Sequence, residues 1–172
     1  MNEKEAIEKA TADAFIKLYN SEFGTSFSIV EHSDAPDIRC KDPDGNTFNF
    51  EITLTEDRPG DIQANLGRSN HRSLESLKEH LVNVKAGRSN PFERVSCLQG
   101  NVTAMIISRI KPKLKKDYGN NVALVIRDAS PIDWDWDMVI DQIKSQLDLE
   151  RNPFDKGIWI ITYRKDKIYS IL

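Results

Sequence analysis

The sequence predicts an α/β fold of three layers, with helices on both faces of a central mixed β-sheet. Strand-like segments alternate with amphipathic helical segments along the chain, an order typical of such sheets. A tight Pro-Asp-Gly turn joins two of the strands, and a later strand is apolar throughout, as expected where both faces are covered. The length of 172 residues fits one domain, so we expect a single domain over residues 1–172.

The composition is typical of a soluble protein, with 39% hydrophobic and 30% charged residues. No apolar run approaches the roughly 18 residues of a transmembrane helix, and the acidic first segment lacks the pattern of a secretory signal. We therefore expect a cytoplasmic protein with no membrane partner, in which Cys40 and Cys97 are reduced thiols. The net charge of -3 argues against tight binding of nucleic acid through the whole surface, but it leaves room for a local basic patch.

The first half of the chain predicts a helix and then a meander of strands. Apolar residues recur at helical spacing over residues 3–22, and residues 27–31 are rich in β-formers. Two extended segments, residues 37–42 and 46–55, then flank Pro43-Asp44-Gly45, a sequence that favours a three-residue turn with a left-handed glycine. If that turn closes a hairpin, residues whose numbers sum to 88 face each other.

The second half predicts helices alternating with strands. Residues 56–70 are polar and predict a loop or a short helix. Amphipathic spacing predicts three helices, at residues 73–85, 102–118 and 134–149, and Pro112 is expected to kink the second. Short apolar runs predict strands at residues 121–127, 157–163 and 167–172.

The hairpin register places two acids opposite each other. Asp37 faces Glu51 on one side of the hairpin, while Ile38 faces Phe50 on the other. Facing carboxylates repel each other by about 0.2–1 kcal/mol, so such a pair favours a site where a cation or a proton lies between them. Oxygen ligands of this kind suit Mg²⁺ or Mn²⁺. Alternatively, both acids point into solvent from an exposed sheet face, and the spacing alone leaves both interpretations open.

Pro36-Asp37, followed after thirteen residues by Glu51-Ile52-Thr53, resembles the PD-(D/E)XK motif. The motif lies on a hairpin, as in that nuclease-like superfamily, and the order of helices and strands around it is similar to the superfamily core. The resemblance implies a restriction-endonuclease-like fold. It also implies hydrolysis of DNA phosphodiester bonds with Mg²⁺ or Mn²⁺ as the cofactor.

The resemblance assigns a role to each matching residue. Asp37 and Glu51 would hold the metal, together with the backbone carbonyl of Ile52. The glutamate that the family carries on its first helix would be Glu8, with Glu5, one turn earlier, as the second choice. Each of these two glutamates is equally well explained as a residue at the rim of a helix face.

One position departs from the motif, because Thr53 stands where the family has a lysine. Threonine cannot supply a positive charge to orient a water or stabilise a phosphate. Some members of the superfamily recruit the missing group from a neighbouring helix. Four residues after the hairpin are candidates for that role, and Gln63 among them would position a substrate without charge: Arg58, Gln63, Arg68 and Arg72.

Three functional hypotheses follow. The first is a Mg²⁺- or Mn²⁺-dependent nuclease acting on DNA, and a homodimer is conceivable for such a domain. The second is a catalytically inactive module of the same fold that binds nucleic acid or a partner protein, as Thr53 indicates. The third is a structural or regulatory protein whose acids are merely solvated. A basic stretch, either a DNA-binding patch or a solvated helix face, bears on the first two: Arg109, Lys111, Lys113, Lys115 and Lys116.

Overall fold

The computed structural model describes residues 3–55, 93–128, 133–162 and 164–172. Within these ranges three helices and six strands follow one another along the chain. In order they are α1 (Glu3–Phe23), β1 (Ser28–His32), β2 (Ile38–Lys41), β3 (Thr47–Leu54), α2 (Glu93–Lys113), β4 (Val122–Arg127), α3 (Trp136–Gln146), β5 (Ile158–Ile161) and β6 (Ile168–Ser170).

The six strands form one open mixed sheet in the order β1-β2-β3-β4-β5-β6. Strands β3, β4 and β5 run parallel to one another, and the other neighbours pair antiparallel. The predicted mixed sheet is therefore confirmed. Strand β4 lies in its middle, and all six of its residues are buried, as its continuous apolar sequence predicted.

Helices cover both faces of this sheet. Leu124 of β4 belongs to an apolar cluster with residues of α2 and α3, whereas Val125 belongs to a cluster with residues of α1. Successive side chains of a strand point to opposite faces, so α1 packs on one face and α2 and α3 pack on the other. Phe15 anchors α1, because it is fully buried with its ring 5.2 Å from that of Phe50 and 6.2 Å from that of Trp159.

The β2–β3 hairpin has the predicted register. Ile38 pairs with Phe50 and Cys40 with Phe48, so that paired residue numbers sum to 88. Gly45 closes the turn with a φ of 85°, a left-handed conformation that favours glycine. This register turns the apolar residues of both strands towards α1, which leaves the opposite face of the hairpin to polar side chains.

The helices differ from prediction mainly at their ends. Helix α2 begins nine residues before the predicted start and ends at Lys113 rather than residue 118. A turn with Gly119 at a φ of 85° follows, and Pro112 lies in the last helical turn. It cannot donate to the carbonyl of Ser108, but little helix remains beyond it to be bent. Helix α3 begins after Asp135, whose side chain accepts a hydrogen bond from the Met138 backbone at 3.2 Å.

Some predictions lie outside the described residues, namely the loop at 56–70 and the helix at 73–85. Trp134 and Trp136 are buried, and Trp136 is the first residue of α3. Cys40 is buried among the residues of the α1 cluster. In the described part of the chain, no helix combines the length and the apolar character needed to cross a bilayer.

Candidate functional site

The Asp37 side chain makes the last hydrogen bond between the β2 and β3 segments, just beyond the backbone pairing. The Ile52 backbone N–H donates a hydrogen bond of 2.7 Å to Asp37 Oδ2. Strand β2 begins only at Ile38, so no β2 backbone group meets this N–H, and the carboxylate takes the place of a backbone carbonyl. Asp37 is held at a fixed position beside β3 by this bond.

Glu51 lies on the sheet face opposite α1. Its neighbours Phe50 and Ile52 both pack in the α1 cluster, so alternation along β3 turns Glu51 towards the layer of α2. Its side chain is only 9% exposed. Lys113, in the last turn of α2, donates a hydrogen bond of 2.6 Å from Nζ to Glu51 Oε1.

The second carboxylate oxygen of Glu51 lacks a partner. Oε2 is buried and accepts no hydrogen bond from any described residue. Leaving a buried acceptor unsatisfied costs about 1–3 kcal/mol, and more for a charged group. A cation or a proton donor from a ligand would remove this penalty, so the site contains an acceptor that the residues in the described ranges do not use.

The pKa of Asp37 depends on its burial and on the charges around it. Burial raises the pKa of Asp37 to about 6, the Ile52 N–H opposes that rise, and the charge of Glu51 adds to it. The Lys113 ammonium lowers the same pKa, while the charge of Glu8 raises it. Asp37 therefore senses the charges of two acids and one lysine, which is the environment expected at the edge of a cation site.

Lys113 is the site residue that sequence reasoning missed, because it was grouped with the basic stretch. The structure divides that stretch: Lys111, Lys115 and Lys116 are exposed, whereas Lys113 is partly buried with 19% of its side chain exposed. The signal was present in the spacing. Lys113 follows the buried Ile110 by three residues, so a lysine continues the inward-facing stripe of the helix.

The remaining predicted residues lie around this centre. Glu8, on α1, is 22% exposed and forms an ion pair of 3.5 Å with Lys4. Glu5, one turn earlier, is exposed. Thr53 is half-buried on β3, two residues beyond Glu51 and therefore on the same face. The four residues proposed to replace the motif's lysine lie outside the described residues: Arg58, Gln63, Arg68 and Arg72.

Tyr118 was not predicted to belong to the site. It lies between α2 and β4, and its ring stacks on Phe154 with a centroid distance of 5.0 Å. Burial first, and then the charges of Glu51 and Asp37, raise the pKa of Tyr118 to about 12. Its buried hydroxyl has no hydrogen-bond partner among the described residues.

A groove of about 350 Å³ adjoins the two acids. Pro36 and Asn49 line it, and these residues lie one position before Asp37 and two positions before Glu51. The polar side chains that line the groove are Glu31, Arg39, Lys41, Thr47, Asn49 and Tyr118. Neither acid lines the groove itself, so the groove is a compartment beside the acids.

The oxygen atoms around Asp37 fit a hard divalent cation. Glu51 Oε2 has no partner among the residues that the structure describes, and Asp37 contributes a second carboxylate. In an extended strand the N–H and the carbonyl of one residue point to the same side, so the Ile52 carbonyl lies on the side of β3 that faces Asp37. The residues described include no group of three or more His, Cys, Asp or Glu side chains placed to hold a metal. Mg²⁺ commonly binds through one or two carboxylates with waters and substrate phosphate, so this donor set suits it.

No family model, no curated protein and no solved structure matches this chain. The arrangement of Asp37, Glu51 and Lys113 is therefore what bears on function. It combines two acids, one of them with a free oxygen, and a partly buried ammonium. Such a set of groups can bind a divalent cation and, beside it, an anionic oxygen.

Proposed function

We propose that this protein is a nuclease-like phosphodiesterase with a restriction-endonuclease-like fold, which hydrolyses DNA with the help of Mg²⁺ or Mn²⁺. One observation carries the proposal: Glu51 is nine-tenths buried, with one oxygen on Lys113 and the other unpartnered among the described residues, beside Asp37. A buried acid kept in this state is costly unless it serves a ligand. The cytoplasmic location expected from the sequence remains a prediction.

The topology supports the proposed fold. Helix α1 precedes an antiparallel meander of β1, β2 and β3, and β4 joins β3 in parallel after α2. That order is the one that the PD-(D/E)XK resemblance implies. The motif acids lie at the hairpin, where they border both the sheet and the end of α2.

Lys113 supports the proposed chemistry, because it supplies the positive charge that Thr53 lacks. The ammonium approaches β3 from α2 rather than along the strand. An ammonium has three donors, and the bond to Glu51 occupies one of them. The others would contact a non-bridging phosphate oxygen and stabilise charge that develops there.

Asp37, Glu51 and the Ile52 carbonyl would hold the divalent ion in this proposal. When bound, the ion would lower the pKa of a water molecule and neutralise charge on the phosphate. Asp37 keeps its orientation through the Ile52 N–H, and Lys113 keeps that of Glu51. The chain itself therefore fixes both acids before any ligand arrives, which is the preorganisation that a catalytic site requires.

The exposed lysines near the end of α2 support DNA as the polymer. Lys111, Lys115 and Lys116 lie in the same stretch as Lys113, and their exposure leaves them available for phosphate contacts. With a net charge of -3, binding would depend on this local patch, or on a homodimer that doubles it.

A second candidate function is an inactive module of the same fold that binds nucleic acid or a partner protein. The ion pair of 2.6 Å between Lys113 and Glu51 favours it, because the ammonium already neutralises one acid without a metal. A chain that has lost catalysis would retain such a pair as part of its core. The two candidates differ in whether the acids bind a divalent cation at all.

The deciding experiment combines Mn²⁺ calorimetry with cleavage of labelled single- and double-stranded DNA. We expect the wild type to bind Mn²⁺ and to cut DNA, and Glu51→Gln to do neither. Glu22→Gln, an exposed acid on α1, is the matched control and should behave as wild type. Binding of Mn²⁺ without cleavage would favour the inactive module. Identical Mn²⁺ binding by wild type and Glu51→Gln would remove the metal site altogether.

A further inference from the structure

Tyr118 places an unused hydrogen-bonding group beside the acids. Its hydroxyl is buried without a partner among the described residues, although its ring is held firmly against Phe154. A tyrosine that served packing alone would be equally well served by phenylalanine, which carries no polar atom to desolvate. The cost of an unsatisfied hydroxyl, like that of Glu51 Oε2, calls for a ligand atom.

The two unpartnered atoms are complementary in kind. Glu51 Oε2 is an acceptor without a donor, whereas the Tyr118 hydroxyl is a donor without an acceptor. They do not satisfy each other, because both are without a hydrogen bond in the described part of the chain. A ligand that brings a cation to Glu51 and an anionic oxygen to Tyr118 would satisfy both at once. A metal-bound phosphate is such a ligand.

The groove next to Tyr118 has room for more than a phosphate. Its volume of about 350 Å³ lies at the lower end of the range for small-molecule pockets. Its walls contain two cations, Arg39 and Lys41, and one carboxylate, Glu31, which pairs with Arg39 at 3.6 Å. Both partners of that pair are about half exposed, with side-chain values of 49% and 55%, so the pair is weak and Arg39 can turn to an anionic ligand.

We infer that this groove is the subsite for the nucleoside attached to the attacked phosphate, and that the Tyr118 hydroxyl donates a hydrogen bond to a non-bridging oxygen of that phosphate. The inference rests on the proposed function and names the substrate unit that the site holds. Asn49, two residues before Glu51 on the same strand face, contacts the nucleoside through its carboxamide. Tyr118 is thus a binding residue for phosphate, and Asn49 is a binding residue for the nucleoside.

The test measures binding by calorimetry in saturating Mn²⁺, with inorganic phosphate and thymidine 5′-monophosphate as probes. Wild type should bind the nucleotide at least about tenfold more tightly than phosphate. Tyr118→Phe should weaken both probes by roughly tenfold to a hundredfold, the range for a hydrogen bond to a charged group. Asn49→Leu, which replaces the carboxamide with an apolar group of similar size, should weaken nucleotide binding by about tenfold or more and leave phosphate binding within about threefold.

Tyr19→Phe is the matched control, because Tyr19 lies in the aromatic cluster on the opposite face of the sheet. Its probe affinities should equal those of wild type, and Mn²⁺ affinity measured without probes should stay within about threefold in all three variants. Thermal unfolding of Tyr118→Phe should occur at or above the wild-type temperature, since the variant loses an unsatisfied hydroxyl.

The results separate this inference from the proposed function. If the wild type does not bind Mn²⁺, both the metal site and the inference are wrong. Normal Mn²⁺ binding together with unchanged probe affinities in Tyr118→Phe would overturn the inference alone. Equal wild-type affinity for phosphate and nucleotide would likewise reject the groove as a nucleoside subsite and leave the metal site in place.

Discussion

Lys113 Nζ lies 2.6 Å from Glu51 Oε1, although 62 residues separate the two in sequence. The contact joins the end of α2 to the middle of β3 across the layer boundary of the fold. Under the proposed function, this contact supplies the ammonium that Thr53 cannot provide. It also makes the geometry of the site depend on where α2 ends.

Lys113→Met should destabilise the protein strongly, because it leaves the buried Glu51 carboxylate without its counter-charge. Removing one partner of a buried pair costs about 3–5 kcal/mol, and the partial exposure of Lys113 reduces this to roughly 2–4 kcal/mol. Lys111→Met, an exposed neighbour in the same helix, should change the free energy of unfolding by less than about 0.5 kcal/mol. Urea unfolding at pH 7 measures both.

The double variant Glu51→Gln with Lys113→Met completes this comparison. Replacing both charged partners removes the uncompensated carboxylate, so we expect stability to recover by at least about 1 kcal/mol relative to Lys113→Met alone. If the two lysine variants lose equal stability, or the double variant is the least stable of the set, the ion pair is not what holds Glu51 in the core.

Asp37→Asn should stabilise the metal-free protein at pH 8. Burial first, and the charges of Glu51 and Glu8, raise the pKa of Asp37 to about 6, so ionising it in the folded state is costly. Asparagine removes the charge and keeps an acceptor for the Ile52 N–H. Two pKa units correspond to about 3 kcal/mol, and partial solvation of Asp37 reduces the expected gain to roughly 1–2 kcal/mol.

The stabilisation by Asp37→Asn should depend on pH. Between about pH 4 and pH 6 the native state binds more protons at Asp37 than the unfolded state, so wild-type stability falls as the pH rises through that window. Asp37→Asn should lack this part of the decline. Thermal unfolding in a chelator at pH 4 and pH 8 measures it, and parallel profiles for the two proteins would contradict it.

Mn²⁺ affinity should depend on pH through the same carboxylate. A metal ligand must be deprotonated, so below the Asp37 pKa of about 6 each unit of acidification should weaken binding by about tenfold. Above pH 7 the affinity should level off. Calorimetry at pH 5, 6, 7 and 8 tests this, with Glu22→Gln as an exposed acid whose removal should leave the profile unchanged. A flat profile would place the ion away from Asp37.

The salt dependence of DNA binding should identify the lysines that contact phosphate. Changing Lys111, Lys115 or Lys116 to Gln should each reduce the slope of log affinity against log salt by about 0.9. Lys9→Gln, an exposed lysine on α1, should leave the slope unchanged. Fluorescence anisotropy over a range of NaCl concentrations provides the measurement, and equal slopes for all four variants would exclude this stretch as the DNA surface.

Sequence patterns predicted the sheet well where local chemistry decides it. The Pro43-Asp44-Gly45 turn and the alternation around it fixed the pairing of Ile38 with Phe50. Continuous apolar character likewise predicted that β4 is buried on both faces. Each of these features depends on residues close together in the chain.

Only part of the site could be predicted from the sequence. Asp37 and Glu51 were predicted from the hairpin pattern, whereas Lys113 and Tyr118 come near Glu51 through the path of the chain from α2 to β4. That path depends on the turn after Lys113 and on packing against Phe154, neither of which a local pattern specifies. Lysine at an inward position of α2 was the one available signal, and the neighbouring lysines obscured it.

The Asp37 side chain makes the last hydrogen bond between the β2 and β3 segments, so a truncation cannot separate this structural role from the proposed metal-binding role. An alanine at this position would remove the acceptor of the Ile52 N–H and let the open end of the hairpin fray, whatever its effect on a bound ion. A loss of activity in this mutant could therefore not be divided between fraying of the hairpin and loss of the carboxylate. Asparagine, which preserves the hydrogen bond, is the substitution whose phenotype can be assigned to charge.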